Sequence, residues 1–592
     1  MSSAAGGWPF RGLTPVLILA LLGLAQNSLA QTLPVIPPGQ IAPPSSPIDR
    51  VAPPQQPTIV PPLTPPENAA PSPEGGPDLP VKSVEIDGAT RYSAEILAEY
   101  YQPVIGQTVS AGKIASIADA IQARYRKDGY FLSAARATAA AEDGGVKIRI
   151  HVTEGYIADV KIDGDIGPAG TKVYEFLQNL VGVKPVNIEE VERYLLLAQD
   201  VPGVSVRAVL RPSGGEPGAV ELVAQVARKS VSGLVNFDTR GPKTAGPSEM
   251  LVSATADSFT SAGERTELDL FNTPFDSEQI FAQLSVSALV GSEGLMVRGY
   301  TGYGITSPGD VLRNIGYKGR LNTGGIAANY PLIRSRALTL ELTSNFDVFQ
   351  SEIDLFGPSG LRARQANSRL RILRLGEALS FQDTFLGDDM AAANSVTFQV
   401  HKALDMFGAS ANDAQLQPRP GTVSNFVKYS GEIVRVQDLF SVDDYRFALK
   451  LAVAGQWTRS ILPSSEEFFL GGNQYGRGFF SGEVTGDRAL AETAELQINS
   501  AVPNFITWFD DQPPNIGLRY YAFFDNGQIW NRTPATPPQS VQSAGIGVAM
   551  TPYPNFTLTL EGDNRFTLRP TGGTAVSRLS PRILTIEALV RF

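Results

Sequence analysis

Cysteine and histidine carry much of the nucleophilic and metal chemistry of proteins, and this 592-residue chain has no cysteine and two histidines, His151 and His401. It contains no Gly-x-Ser-x-Gly nucleophile elbow and no His-Glu-x-x-His zinc site. The densest run of unusual residues is Phe469-Leu470-Gly471-Gly472-Asn473-Gln474-Tyr475-Gly476-Arg477-Gly478-Phe479, followed by Gly486-Asp487-Arg488 and Glu495-Leu496. Such a glycine run could cradle a phosphate, but it lacks the Gly-Lys-Ser/Thr ending and no strand-helix-strand setting follows. A second segment, Phe524-Asp525-Asn526-Gly527, places Asp525 by strand parity on the side of Arg519, opposite Leu518, Tyr520 and Phe524. Neither segment supplies a nucleophile or a metal-ligand set. The sequence therefore predicts no enzyme, no cofactor and no metal centre.

The elements that would hold these residues follow from the distribution of apolar positions. Hydrophobic residues make up 43% of the chain and charged residues 18%, enough for several domains. No internal run reaches the roughly 18 to 20 apolar residues that a membrane-spanning helix needs. The net charge of −10, with no basic cluster, argues against nucleic acid as a partner. Arg11, the apolar run Leu13 to Leu24 and the small residues around Ser28-Leu29-Ala30 read as a secretory signal spanning 1–30, with an uncleaved anchor as the rival reading. Residues 31–80 are dominated by proline, including Pro37-Pro38, Pro43-Pro44 and Pro53-Pro54, and read as an extended linker that serves as a tether or docks a periplasmic partner.

Compact structure is expected from Val81. Val84 and Ile86 alternate before Asp87-Gly88, Ser93 opens a short helix, and Ser110 opens a longer one with Ile114, Ile117, Ala118, Ile121 and Tyr125 on one face. Gly129 ends that helix, and strands follow through Phe131 to Thr138 and through Val146 to Val152. The plan repeats: Val160 and Ile162, a helix from Thr171 to Leu180, a capping-box-like start at Asn187 and Glu190, then strands at Val204 to Ala208 and Val220 to Val226. Two α/β modules, 81–154 and 155–230, each of roughly 75 residues, are the simple reading.

Beyond Ser230 alternation with period two recurs in segment after segment. Phe447, Leu449, Leu451, Val453 and Trp457 share one face against Arg446, Lys450 and Gln456, and Phe556, Leu558 and Leu560 oppose Thr557, Thr559 and Glu561. A membrane barrel turns the apolar face to lipid and keeps the polar face for a wet lumen. The final residues Leu584, Ile586, Ala588, Val590 and Phe592 form one more apolar face with a terminal aromatic. The 362 residues from 231 to 592 suffice for sixteen antiparallel strands of about 10 residues with their loops.

Several of these segments carry a family resemblance. Tyr125-Arg126-Lys127-Asp128-Gly129-Tyr130 and Val152-Thr153-Glu154-Gly155 resemble the polypeptide-transport-associated (POTRA) domain of two-partner secretion transporters. Gly476-Arg477-Gly478-Phe479 resembles the loop-six core of the same ShlB/FhaC/HecB class, whose usual first residue is Val; Gly at 476 is expected to loosen the tip while keeping the arginine. The terminal strand ending in Phe592 resembles the assembly signal of outer-membrane barrels, which brings in the barrel-assembly machinery and outer-membrane lipid as partners. The resemblance implies that loop six folds back into the barrel, where Arg477 pairs with Asp525, either to hold the loop or to gate the pore. It also implies export of an unfolded haemolysin- or adhesin-like exoprotein that binds the periplasmic modules and threads through the barrel. A pore-plugging N-terminal helix, found in some members, is not expected from so Pro-rich a segment. The rivals are a barrel-assembly factor, a passive porin and an outer-membrane enzyme.

Overall fold

The computed structural model describes residue 47 and residues 75–592, apart from 277, 357–360, 413, 415, 418, 505, 507–513, 534–535 and 572–577. The secretion signal and nearly all of the Pro-rich linker, with the question of a plug helix, lie outside the described residues.

The first α/β unit contains β1 (Asp78–Asp87), α1 (Ala94–Tyr101), β2 (Thr108–Ser110), α2 (Ala111–Lys127), β3 (Ala134–Glu142) and β4 (Gly145–Thr153). Its sheet has the order β2-β1-β4-β3, with β1 parallel to β4. Strand β1 starts inside the stretch read as linker because Asp78, Leu79 and Pro80 pair with Ser110, Val109 and Thr108. Helix α2 is capped by the Ser110 hydroxyl, which accepts from the Lys113 amide at 3.2 Å, and it buries Ile114, Ile117, Ala118, Ile121 and Tyr125 against the sheet.

The Glu-Gly pair after β4 has a definite structural cause. Glu154 is 1% exposed, and its carboxylate accepts from the Thr90 amide at 2.8 Å, the Arg91 amide at 2.9 Å, the Tyr125 hydroxyl at 2.7 Å and the Thr90 hydroxyl at 2.5 Å. It thereby ties the β1–α1 loop to the end of α2. A side chain at Gly155 would meet the Leu132 carbonyl oxygen at 2.5 Å, so only glycine lets these segments approach.

The second unit contains β5 (Tyr156–Asp163), α3 (Ala169–Gln178), α4 (Ile188–Gln199), β6 (Val204–Pro212) and β7 (Ala219–Arg228), with sheet order β5-β7-β6. Asn187 caps α4 by accepting from the Glu189 amide at 2.9 Å, and its own amide donates to the Asp128 carbonyl at 3.0 Å, joining the two units. The strand expected from Phe131 begins instead at Ala134, because Phe131 and Leu132 leave the first sheet and pack on the core of the second unit.

Among the described residues sixteen antiparallel strands, from Val231–Asp238 to Arg582–Arg591, close into a barrel. In the strand Gln279–Val290, Ile280, Leu284, Val286 and Val290 are exposed while Gln279, Gln283, Ser285 and Ser287 are buried, which is the inverse of a soluble sheet. The closing pair runs only from Glu587 opposite Asp238 to Arg591 opposite Leu234. Phe592 extends it by donating its amide to the Gly233 carbonyl at 3.0 Å and accepting from the Gly233 amide at 2.9 Å. Its ring covers Gly233, where an added methyl would stand 2.6 Å from a ring carbon. The second unit docks on the near-side turns: Arg334 donates to both Asp200 carboxylate oxygens at 2.8 Å, and Arg193 donates to the Pro331 carbonyl at 3.2 Å.

Burial raises the Glu154 pKa, but the hydrogen bonds from Thr90, Tyr125 and the Arg91 and Thr90 amides together outweigh it and hold the carboxyl below its ordinary value. A depressed folded-state pKa contributes stability above the unfolded value, and that stability is lost as pH falls through the folded value. Protection of the Thr90 and Arg91 amides in hydrogen exchange is therefore expected to drop on acidification below the usual carboxylate range. Glu154→Ala is expected to cost the first unit about 3 kcal/mol at neutral pH; unchanged exchange in that variant would remove Glu154 as the clasp.

Candidate functional site in the barrel lumen

Loop six, residues 459–487, joins the strands Tyr445–Thr458 and Arg488–Val502 at the end of the barrel away from the α/β units. It turns inward. A short hairpin, Phe468–Leu470 paired with Val484–Gly486, starts the descent. Leu470, Phe479 and Val484 are buried against the wall residues Ala489, Ala491, Ile529 and Val541.

The tip presents its backbone and its one cation to the same carboxylate. The Gly476 and Arg477 amides donate to Asp525 Oδ2 at 3.1 and 2.9 Å, Arg477 Nε donates to Oδ2 at 3.1 Å, and Arg477 Nη2 donates to Oδ1 at 3.1 Å. Arg477 Nη2 also reaches Thr493 Oγ1 at 3.0 Å, and Nη1 pairs with Glu495. The guanidinium lies 3.5 Å from the centre of the Phe523 ring. Asp525 is fully buried and Arg477 is 7% exposed, so a side chain with five donors is matched to acceptors on two adjoining strands.

Gly476, read from the sequence as loosening the tip, does the opposite. Its φ of +78° lies in the left-handed region, and that conformation aims two successive amides at one carboxylate oxygen. Gly478 donates to Ser543 Oγ at 3.3 Å, and a methyl there would stand 2.7 Å from the Ser543 Cβ, so this glycine brings the loop backbone against the wall. Phe479 is 1% exposed within the lumenal apolar cluster. The structure thus brings Gly476, Arg477 and Gly478 together with Asp525 and its neighbours, while Phe592 sits apart at the barrel seam.

Two further charge clusters hold the loop at other heights. Glu466 accepts from Arg374 at 2.7 Å and pairs with Lys428 at 2.8 Å. Asp487, fully buried, accepts from Arg419 at 2.9 Å and from the Leu462 and Arg532 amides at 2.7 Å each. His401 belongs to the first cluster, bonded to Arg374 and, at 2.8 Å, to Ser430; His151 lies on the first α/β unit beside Asp87 at 2.5 Å. Among the described residues no group of histidines and carboxylates is arranged for a metal ion. Sequence reasoning quoted Glu495 without a role and missed Thr493, Arg419 and Glu466. Glu495 and Thr493 share parity on one strand and could have been found; Arg419 lies in loop five, where no periodicity points to it.

A family model described as haemolysin secretion/activation protein ShlB/FhaC/HecB matches residues 219–550, more than half of the chain. The chain belongs to this family. A model of the ShlB-type POTRA domain matches residues 79–155, the first α/β unit. The transporter is 24% identical over 495 residues to outer membrane transporter CdiB of Escherichia coli, covering 80% of this chain and 77% of CdiB. It is 23% identical over 441 residues to the heme/hemopexin transporter protein HuxB of Haemophilus influenzae, covering 69% of this chain and 70% of HuxB. The solved structure of CdiB from Escherichia coli superposes with a TM-score of 0.69 at 18% identity over 87% of this chain and 91% of that one, and CdiB from Acinetobacter baumannii with 0.59 at 15% over 92% and 95%. The transporter is thus a two-partner secretion protein of the outer membrane, with POTRA units in the periplasm, that exports a partner exoprotein.

Gly476→Val forces a β-branched residue into positive φ, which costs about 1–3 kcal/mol at the tip. The fraction of time the channel conducts in planar bilayers is expected to rise; an unchanged record from a folded barrel would show that the tip conformation does not hold the loop.

Proposed function

We propose that loop six is the moving gate of export and that the Arg477–Asp525–Glu495 cluster defines its seated position. The observation that carries this reading is the tip itself: a buried cation and two backbone amides converge on one wall carboxylate. A seat made of charge is strong when all partners are present and is abolished when one leaves, since a stranded buried charge costs several kcal/mol. That is the behaviour of a two-position element.

In this reading the periplasmic modules, spanning 81–154 and 155–230, receive the unfolded passenger by strand addition. The edge position of β3, whose residues Ala139–Glu142 are exposed, supports this. The passenger then passes through the lumen as loop six leaves its seat, and folding outside makes return unfavourable. A haemolysin- or adhesin-like exoprotein is the proposed passenger. HuxB, by its name a heme/hemopexin transporter, supports a haem-binding passenger as a further class. The strand ending in Phe592 is proposed to present the barrel to the assembly machinery. The chain has no covalent chemistry of its own in this account, in keeping with two histidines and no cysteine.

Arg477→Ala removes one of the two defined positions between which the loop cycles, and is expected to lower passenger export roughly tenfold or more, while the amount of folded barrel stays near wild type. Secretion and heat-modifiable barrel are measured in the same cells. Normal export by a stably inserted Arg477→Ala protein would contradict the gate.

A further inference from the structure

The strand Arg362–Asp383 is long, and it starts at the extracellular end. Its inward face buries Ser368, Leu370 and Ile372, so Arg369 and Arg371 point outward, level with Gln350 and Val348 of the adjoining strand. Toward the membrane interior the same outer wall exposes Leu375, Phe398 and Ile326. Lys402 joins the two arginines from the next strand, where it stands opposite Leu373. Arg369 is exposed; its amide donates to the Ser410 hydroxyl at 3.0 Å, and its guanidinium has no partner among the described residues. The carboxylates of this wall, Glu352 and Asp354, are already held by Arg364 at 3.0 and 2.5 Å, with Arg362 adding 2.7 Å to Asp354. A cationic strip thus faces outward where the apolar surface ends.

A second observation gives this strip a membrane character. Arg371 donates to the Phe407 carbonyl at 3.0 Å, and Phe407 holds a φ of +48° that lays its ring on the outer wall, 6.3 Å from the Phe346 ring. Phe407 is 72% exposed. A large aromatic kept out of the loop-five interior and spread on the lipid-facing wall, beside Arg371 and Lys402, whose charges meet backbone carbonyls (Leu370 at 2.8 Å, Phe407 at 3.0 Å and Asn425 at 2.9 Å) and no carboxylate, is the pattern of an interfacial anchor.

We infer that Arg369, Arg371, Lys402 and Phe407 form a binding site for a phosphorylated lipid of the outer leaflet. The phosphate sits on the guanidinium and ammonium groups, and an acyl chain runs down beside Phe407 and Val348. Arginine pairs bind phosphate through parallel N–H donors, and cations at the membrane interface gain further from an anionic headgroup. The site would fix the tilt of the long hairpins whose inner face carries Arg374, an anchor of loop six.

The test uses the full-length protein in phosphatidylcholine nanodiscs doped with bis-phosphorylated lipid A, with retained lipid counted by native mass spectrometry. Wild type is expected to retain lipid A in preference to its dephosphorylated form. Arg369→Gln with Lys402→Gln is expected to weaken retention about tenfold, the loss of charge-assisted bonds to phosphate. The Arg369 guanidinium has no partner among the described residues to lose and Lys402 gives up only an exposed bond to the Asn425 carbonyl at 2.9 Å, so this variant should fold, and Phe407→Ala, which leaves every charge in place, is expected to weaken retention as well. Equal retention by the double variant, or equal retention of dephosphorylated lipid, would overturn the site. Complete displacement by inorganic phosphate would also overturn it, because a free-anion site would then be present in place of a lipid site.

Discussion

A guanidinium held inside a membrane barrel must meet carboxylates or it does not stay. Opposite charges in contact gain about 4 kcal/mol at an effective dielectric near 20, and removing either partner leaves the other charged and poorly hydrated. Arg477 is 7% exposed, and it meets Asp525 and Glu495 from adjoining strands while its own backbone amide donates to Asp525. This demand sets much of the architecture around it. The parity of the strand Ile516–Trp530 must turn Asp525 inward, and the register with Arg488–Val502 must place Thr493 directly opposite it. Loop six must be long enough to bring its tip to that height.

The tip does not act alone. Glu466 with Arg374 and Lys428, and Asp487 with Arg419, fix the loop to strands on other parts of the wall and to loop five. Three separated charge clusters fit the proposed gate, because a partial release would leave buried charges unpaired. The same frame carries the periplasmic side. The second POTRA unit grips the barrel turns through Arg334–Asp200 and joins the first unit through Asn187, so the receptor and the conduit are mechanically continuous.

Much of this was legible in the sequence because local periodicity reports local environment. The stripe from Ile114 to Tyr125 gave α2, and period-two alternation with a terminal Phe gave a barrel that closes on its last strand. Parity alone turned Asp525 inward. What could not be read depended on contacts across space. Arg419 sits in an irregular loop and finds Asp487 only after the barrel closes, and Phe131 was drawn out of its expected strand by the core of the neighbouring unit. Gly476 was misread because composition reports freedom, whereas the fold uses that freedom to reach a backbone angle of +78° that aims two amides.

The most direct test of a mobile, charge-seated loop is a reversible lock at the seat. The chain has no cysteine, so Gly478→Cys with Asp563→Cys introduces its only thiols, at a site where an added Cβ on residue 478 would lie 3.4 Å from that of Asp563, and Ser543→Gly in the same protein removes the Ser543 Cβ that would otherwise stand 2.7 Å from it. That spacing is close to the range of a disulfide. The account predicts that the oxidised transporter inserts normally but exports no passenger, and that reduction restores export. Export at the wild-type rate through the cross-linked protein would show that loop six stays in place while the passenger crosses.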